Sequence, residues 1–214
     1  MSARWRWPAV ALAAAFFTSS VFSGYLHWGR DAFIGAWLGV AVLVIGAWVA
    51  SEGWSPAVQL RRRWAAGLAV GIVMGALVGW MATRGPVEAG GGSVSVQRFL
   101  WLAVVYGTVD AVMLSVVPVL ALYGTRPGDD AGHGSRLGRA LLALVASLVI
   151  TAFYHLGFAE FRGGALMAPL VGNLVVTLAY LLGGNPLAPI IAHIMLHGAA
   201  LLHGAGAGGV LPPH

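Results

Sequence analysis

Two histidines near the C-terminus, His193 and His197, lie four residues apart within an apolar stretch of the chain. Four residues is just over one turn of an α-helix, so both imidazole rings project from the same helix face. Two neutral imidazoles at this spacing can chelate one transition-metal ion, and zinc sites built on helices use it. The alternative is that each ring donates a hydrogen bond to a neighbouring carbonyl group. The pair predicts a polar site on an apolar helix, and a zinc-like divalent metal ion is the favoured ligand.

An aspartate lies in the middle of another apolar segment. Asp110 is the only acidic residue deep within such a segment. A carboxylate in lipid either takes up a proton or pairs with a cation or a metal ion. Pro118, two turns further on, removes a backbone donor and is expected to kink the helix, which would open space beside Asp110. Asp110 is therefore a candidate functional residue, and the alternative is a protonated aspartic acid that bonds to a neighbouring helix.

A third histidine and a polar pair lie in two further segments. His155 lies toward the end of its segment among aromatic residues, a setting typical of anchors at the membrane interface. It is also the third imidazole that a metal site could use. Asn173 and Thr177, four residues apart, could support a site through hydrogen bonds, but contacts between helices are the favoured use for them.

The composition places all of these residues in a membrane. The chain has 214 residues, of which 59% are hydrophobic and 9% are charged, whereas a soluble domain has roughly a quarter of its residues charged. The 31 glycines suit the close packing of transmembrane helices. Alternating strand patterns of about ten residues, which a membrane barrel would require, are absent. The predicted fold class is all-α, a polytopic transmembrane helix bundle in contact with the lipid bilayer.

Seven apolar segments come close to the length of about 20 residues that crosses a bilayer as a helix. We predict spans at residues 8–26, 32–51, 64–83, 99–123, 138–160, 165–183 and 187–205. Residues 1–205 then form a single transmembrane helical domain, and residues 206–214 form a flexible tail. The alternative for the first span is a cleaved signal peptide, because Arg4 and Arg6 precede an apolar run that reaches a tolerable cleavage site at Val21-Phe-Ser23.

The distribution of the arginines predicts the orientation in the cell membrane. All twelve basic residues are arginines, and they lie at segment ends and in connectors. Membrane topology explains that placement, so we exclude nucleic acid as a partner. Eight arginines fall on the side of the N-terminus: Arg4, Arg6, Arg61, Arg62, Arg63, Arg126, Arg136 and Arg139. Four fall on the other side: Arg30, Arg84, Arg98 and Arg162. The positive-inside rule therefore places the N-terminus in the cytoplasm and the C-terminus outside.

Two further features of the composition limit the chemistry of the protein and indicate its source. The chain contains no cysteine, so neither disulfides nor thiol chemistry contribute to its function. The chain is rich in Ala, Gly, Val and Arg and contains no lysine, a bias that suggests a GC-rich bacterial genome.

The order of the candidate residues resembles the CPBP family, the intramembrane proteases of the CAAX-prenyl-protease and bacteriocin-processing group, also called Abi. That family carries Glu-Glu-x-x-x-Arg on one span, Phe-x-x-x-His on the next, and His-x-x-x-Asn on a later one. The stretch from Gly184 to His193 is similar to the lead-in of the last motif, and Thr151-Ala-Phe-Tyr-His155 is similar to the second. The resemblance covers about residues 99–205 and implies an intramembrane metal-dependent peptidase.

The chain departs from the family pattern at the positions that matter for catalysis. Val109 stands where the family has its first Glu, which is thought to activate the attacking water, and Leu114 replaces the Arg. His197 replaces the final Asn, and Thr151 stands where the Phe of the second motif would be. In a register shifted by one residue, Asp110 takes the place of the first Glu, and Ala111 and Ser115 stand at the other two positions. In either register Asp110 is the one carboxylate that remains.

These departures favour a degenerate, non-catalytic member of the family that binds a metal ion, a lipid or a partner protein. The alternative is a metal-dependent intramembrane endopeptidase, in which Asp110 is the catalytic base, His155, His193 and His197 hold the metal, and water fills the fourth place. Its substrate would be a peptide bond of a protein within or near the membrane. A further alternative is a b-type haem or quinone protein, with His155 facing His193 or His197 across two spans. Proton transport through an aspartate beside a histidine is the remaining hypothesis.

Overall fold

A computed structural model describes residues 3–53, 55–84, 94–123 and 133–204. These residues form eight α-helices and contain no β-strand, so the predicted all-α fold is confirmed for them. The helices are α1 (Ala3–Thr18, continued as a π-helix over Ser19–Tyr25), α2 (Arg30–Glu52), α3 (Pro56–Arg61), α4 (Trp64–Ala82), α5 (Val96–Leu122), α6 (His133–Leu156), α7 (Met167–Gly183) and α8 (Leu187–His203). Two short 3₁₀ turns, Ala159–Phe161 and Gly163–Leu166, connect α6 to α7.

Within the described ranges, six helical segments are long and apolar enough to cross a membrane. They are Trp5–Tyr25, Arg30–Glu52, Trp64–Ala82, Val96–Leu122, Arg136–Leu156 and Gly163–Gly183. The seventh predicted span, α8, is an apolar helix of 17 residues, which is about 26 Å long and at the lower limit for a transmembrane helix. The chain is therefore a multi-pass membrane protein. The predicted tail at 206–214 lies outside the described residues.

Glycines in the left-handed conformation end three of these helices. Gly53, Gly184 and Gly204 follow α2, α7 and α8 with φ angles of 63°, 63° and 74°. Each donates its backbone N–H to a carbonyl of the last helical turn. This arrangement satisfies carbonyl groups that would otherwise lack a partner at the helix end.

Helix α5 lies at the centre of the bundle. Its apolar window is 67% buried, compared with 28–33% for the other five long segments. It packs against α1, α2, α6, α7 and α8. Polar side chains on α5 therefore face protein on most sides, where they can find partners that lipid would not provide.

A polar cluster joins α5, α6 and α7 across this centre. The Asn173 amide donates to the Ser147 and Thr151 hydroxyl oxygens, at 2.9 and 2.7 Å, and accepts from the Ser115 hydroxyl at 2.9 Å. The Thr177 hydroxyl lies 2.9 Å from that of Ser115 and 2.7 Å from that of Ser147. All five residues are buried. The predicted use of Asn173 and Thr177 as contacts between helices is confirmed.

Helix α5 accommodates Pro118 through a local change of helix type. Proline has no N–H to donate to the carbonyl four residues earlier, which is that of Leu114. The Ser147 hydroxyl donates to the Leu114 carbonyl instead, at 2.5 Å. The preceding turns, Ala111–Val116, adopt a π-helix, and a second π-helical stretch, Leu100–Val105, lies one turn before Asp110. Such π-helical turns are frequent at functional sites.

Helices α4 and α8 approach each other closely along a row of glycines. Gly67, Gly71, Gly75 and Gly79 recur every four residues and face α8. A Cβ atom added at Gly71 would lie 2.9 Å from the Ala188 carbonyl oxygen, which is closer than real Cβ contacts. Small residues at this spacing allow transmembrane helices to pack backbone against backbone. This packing fixes the position of α8, the helix that carries the histidine pair.

Candidate metal centre

The histidine pair forms a parallel stack on α8. The rings of His193 and His197 lie 5.3 Å apart between centroids, with an angle of 13° between their planes. Both side chains are buried. The helix begins immediately after Pro186 and tolerates Pro189 because the first turn has no intrahelical use for that N–H group. The predicted common face of the two imidazoles is therefore found.

Asp110 on α5 faces this pair. Its Oδ2 atom lies 3.6 Å from Nε2 of His197. Its Oδ1 atom accepts a hydrogen bond of 2.7 Å from the indole N–H of Trp37 on α2. The carboxylate is buried, so the indole holds one oxygen while the other is directed to the histidines.

Asp110, His193 and His197 together form a group that could hold a metal ion. One ligand atom from each of the three residues lies within 4.8 Å of the others. Ligand atoms about 2 Å from a tetrahedral zinc ion lie roughly 3.3 Å apart, so binding would require the group to contract by about 1.5 Å at most.

Three imidazole nitrogens of the pair lack a hydrogen-bond partner among the described residues. These are Nδ1 of His193 and both ring nitrogens of His197. The 3.6 Å separation between His197 and Asp110 is too long for a hydrogen bond. Buried polar atoms are nearly always partnered, and a bound cation would satisfy this requirement for the imidazoles and the carboxylate at once.

Two tyrosines enclose the group on the side of α6. The hydroxyl groups of Tyr106 and Tyr154 lie 3.0 Å apart, and both interact electrostatically with Asp110. The Tyr106 ring packs on His197 with 4.8 Å between centroids. The Trp37 ring stacks on Tyr154 at 5.1 Å. These aromatic rings fix the orientation of the polar groups and exclude lipid from them.

Gly107 allows α5 and α8 to approach at this point. A Cβ atom added there would lie 3.2 Å from the His193 carbonyl oxygen and 3.2 Å from Cδ2 of His197. Any larger residue would push the histidines away from Asp110, one turn further along α5.

His155 is not one of the three residues whose ligand atoms lie within 4.8 Å of one another. Its Nδ1 atom lies 2.8 Å from the Thr151 carbonyl oxygen, to which the ring N–H donates. The ring packs edge-on against Tyr154 and Phe161, at 5.1 and 4.7 Å between centroids. The described geometry therefore brings together three of the four residues predicted for the site, and a ligand role for His155 stays a prediction.

Trp37 was not among the residues that the sequence pointed to. The signal available was its place two turns inside α2, deeper than the span ends where tryptophans anchor membrane proteins. A tryptophan at that depth is fully buried here, and its N–H needs an acceptor within the bundle. Asp110 is that acceptor.

Asn185 is a second polar residue whose role emerges only in three dimensions. Its amide donates to the backbone carbonyls of Gln59, Leu60 and Arg62 at the end of α3, while its carbonyl oxygen accepts from the N–H of Leu187. The residue is completely buried. It joins the start of α8 to the end of α3 and so helps to fix the position of the helix that carries the histidine pair.

The arrangement has the chemistry of a transition-metal centre. Two imidazole nitrogens and one carboxylate suit zinc and other divalent first-row metals. Three protein ligands leave one coordination position open in a tetrahedral site. The Trp37 hydrogen bond is the kind of outer contact that orients a ligating carboxylate.

The fold and the site define a class: a multi-pass helical membrane protein with a buried Asp/His/His group. Comparison with known proteins finds no relative, because the chain matches no family model, no curated protein and no solved structure. The resemblance to the CPBP family thus stays an expectation from the sequence motifs.

Proposed function

We propose that this membrane protein binds a divalent transition-metal ion, zinc or a zinc-like metal, through Asp110, His193 and His197. The observation that carries the proposal is the convergence of two unpartnered imidazoles and one carboxylate within 4.8 Å inside the bundle. Lipid cannot satisfy these groups, and protonation of both histidines would place two positive charges in a low-dielectric interior. A single cation resolves both difficulties.

Asp110 acts as a ligand in this proposal and not as a base. One carboxylate oxygen accepts from Trp37 and the other faces His197. A general base also needs access to the water whose proton it removes. The hydrogen bond to one oxygen and the approach of the other to His197 support the degenerate, non-catalytic form of the CPBP-like site, which binds a metal ion, a lipid or a partner protein.

A metal-dependent endopeptidase is the second candidate, favoured by one observation. Three protein ligands leave a coordination position that water can fill, as in catalytic zinc sites. Asp110→Asn keeps the size of the side chain and removes its charge. If the protein is a peptidase, this variant should lose cleavage of membrane-embedded protein substrates while its thermal unfolding stays close to wild type.

Metal analysis tests the proposal directly. The full chain is purified in detergent through a tag without histidines, incubated with Zn²⁺, desalted and analysed by elemental mass spectrometry. We expect close to one Zn²⁺ per wild-type chain and almost none in the His193→Ala/His197→Ala variant. Equal zinc in the two proteins would contradict the proposal.

Two further measurements sharpen this experiment. His203→Ala is the matched control, because His203 lies on the same helix but outside the group; it should bind zinc like wild type. Asp110→Asn should weaken zinc binding at least about tenfold. An optical spectrum of the protein as purified tests the haem alternative, which predicts an absorption band that the proposed zinc site lacks.

We also propose an orientation in the cell membrane with a cytoplasmic N-terminus and an external C-terminus. Two helix pairs support seven alternating spans. Helices α4 and α8, spans three and seven, run parallel, because Gly71 contacts Ala188 and Gly79 contacts Ala199. Helices α1 and α6, spans one and five, also run parallel, because Phe16 contacts Phe153 and Ser19 contacts Gly157.

A further inference from the structure

An apolar groove runs along the outside of the bundle between α1 and α6, and none of the three residues of the metal centre lines it. It has a volume of about 410 Å³. Its walls include Trp5, Ala9 and Leu12 from α1 and Leu142, Val145 and Val149 from α6. The wall on α6, residues 142–150, is about 12 Å long, close to the roughly 15 Å thickness of one membrane leaflet.

Both helix N-termini lie at the same end of this groove. Phe16 packs edge-on against Phe153 with 5.7 Å between centroids, and Ser19 contacts Gly157 further along. Residue numbers therefore increase together along the two helices. Because a helix N-terminus carries a partial positive charge, the common end attracts an anion.

Arginines reinforce the positive charge at that end. Arg6 and Arg136 are exposed in the first turns of α1 and α6, and Arg139 is partly buried. Arg139 lies one turn before Leu142 and so on the face of α6 that lines the groove. The Arg6 guanidinium lies over the Trp7 ring at 5.3 Å. The Trp7 indole donates to Glu52 at 3.5 Å, so among the described residues one carboxylate lies at this end beside the three arginines.

We propose that this α1–α6 groove binds one acyl chain of an anionic phospholipid, whose phosphate is held by Arg6, Arg136 and Arg139. The walls suit a hydrocarbon chain because they are apolar, and the arginines distinguish an anionic headgroup from a zwitterionic one.

Lipid retention tests this site. The delipidated full chain in detergent is titrated with phosphatidylglycerol or with phosphatidylcholine of identical acyl chains, and bound lipid is counted by native mass spectrometry. We expect one tightly retained phosphatidylglycerol and weaker binding of phosphatidylcholine. Arg139→Gln should weaken phosphatidylglycerol binding about fivefold, the factor that corresponds to the attraction of one basic residue for an anionic surface.

Val145→Trp blocks the groove, and Leu141→Trp is the matched control. Both positions are exposed on α6, so both variants should fold, but only Val145 lines the groove. The tightly bound lipid should be lost in Val145→Trp and kept in Leu141→Trp. Equal retention of both lipids by all variants would overturn the proposal. So would a dimer that Val145→Trp dissociates without loss of lipid, because the groove would then be an interface between two copies of the chain.

Discussion

The hydrogen bond from Trp37 to Asp110 shows how a single carboxylate is oriented toward two imidazoles. Without it, the carboxylate could rotate away from His197, because the described contact between them is 3.6 Å and no hydrogen bond fixes it. Aromatic packing then holds the tryptophan itself, since its ring stacks on Tyr154. At this scale the site depends on a chain of contacts from α2 through α5 to α8.

Replacement of Trp37 by phenylalanine tests this dependence. Trp37→Phe keeps an aromatic ring but removes the N–H donor, so Asp110 loses its fixed orientation. We expect zinc affinity, measured by competition with a chelating indicator, to fall about tenfold or more, as for other outer contacts of metal ligands. Trp48→Phe on the same helix is the control, because the Trp48 ring stacks on Trp7 and not beside Asp110. Equal affinities in the two variants would remove Trp37 from the site.

Between elements, the position of α8 depends on small residues and on one buried amide. The glycine row of α4 lets α8 approach, and Asn185 joins the start of α8 to the end of α3. On the opposite side, Gly107 of α5 contacts the backbone of α8 between the two histidines. The depth of the histidine pair in the bundle is therefore set by contacts outside the pair.

Two glycine-to-alanine changes separate helix propensity from helix packing. Alanine is favoured over glycine by about 1 kcal/mol in a helix. Gly39→Ala on α2 has open space around the new methyl group, so it should leave stability unchanged or raise it. Gly71→Ala would bring Cβ within 3.0 Å of the backbone of Ala188, and such overpacking costs about 1–3 kcal/mol. Unfolding by denaturing detergent should show a loss for Gly71→Ala alone.

The same pair of variants links packing to the site. A displacement of α8 moves His193 and His197 relative to Asp110, so Gly71→Ala should also weaken zinc binding. Gly39→Ala should bind zinc like wild type. A Gly71→Ala protein with normal stability and normal zinc affinity would show that the glycine row does not position α8.

For the whole molecule, the central burial of α5 and the parallel pairs of helices define the topology. Ser55 lies before α4 in the chain, and Ala159 lies after α6. The three long helices α4, α5 and α6 therefore separate the two residues. Three crossings put the two residues on opposite sides of the membrane. The excess of arginines on the side of Ser55 predicts that this side is cytoplasmic.

Cysteine labelling tests the topology without background, because the chain has no cysteine. Ser55 and Ala159 are both exposed, so Ser55→Cys and Ala159→Cys should leave the fold intact. In intact cells a membrane-impermeant maleimide should label Ala159→Cys, while Ser55→Cys should react only after permeabilisation. The reverse result would invert the proposed orientation, and labelling of both in intact cells would contradict three crossings between them.

Local sequence was sufficient for the class of protein, the approximate spans and the shared face of His193 and His197, because hydrophobic length and helical period act over short stretches of chain. Asp110 was recognisable for the same reason, as a carboxylate isolated in an apolar run. The contact between Asp110 and the histidine pair and its support from Trp37 required the packed bundle. Helix rotation and relative depth depend on side chains from five other helices around α5, and no periodicity within one segment contains that information.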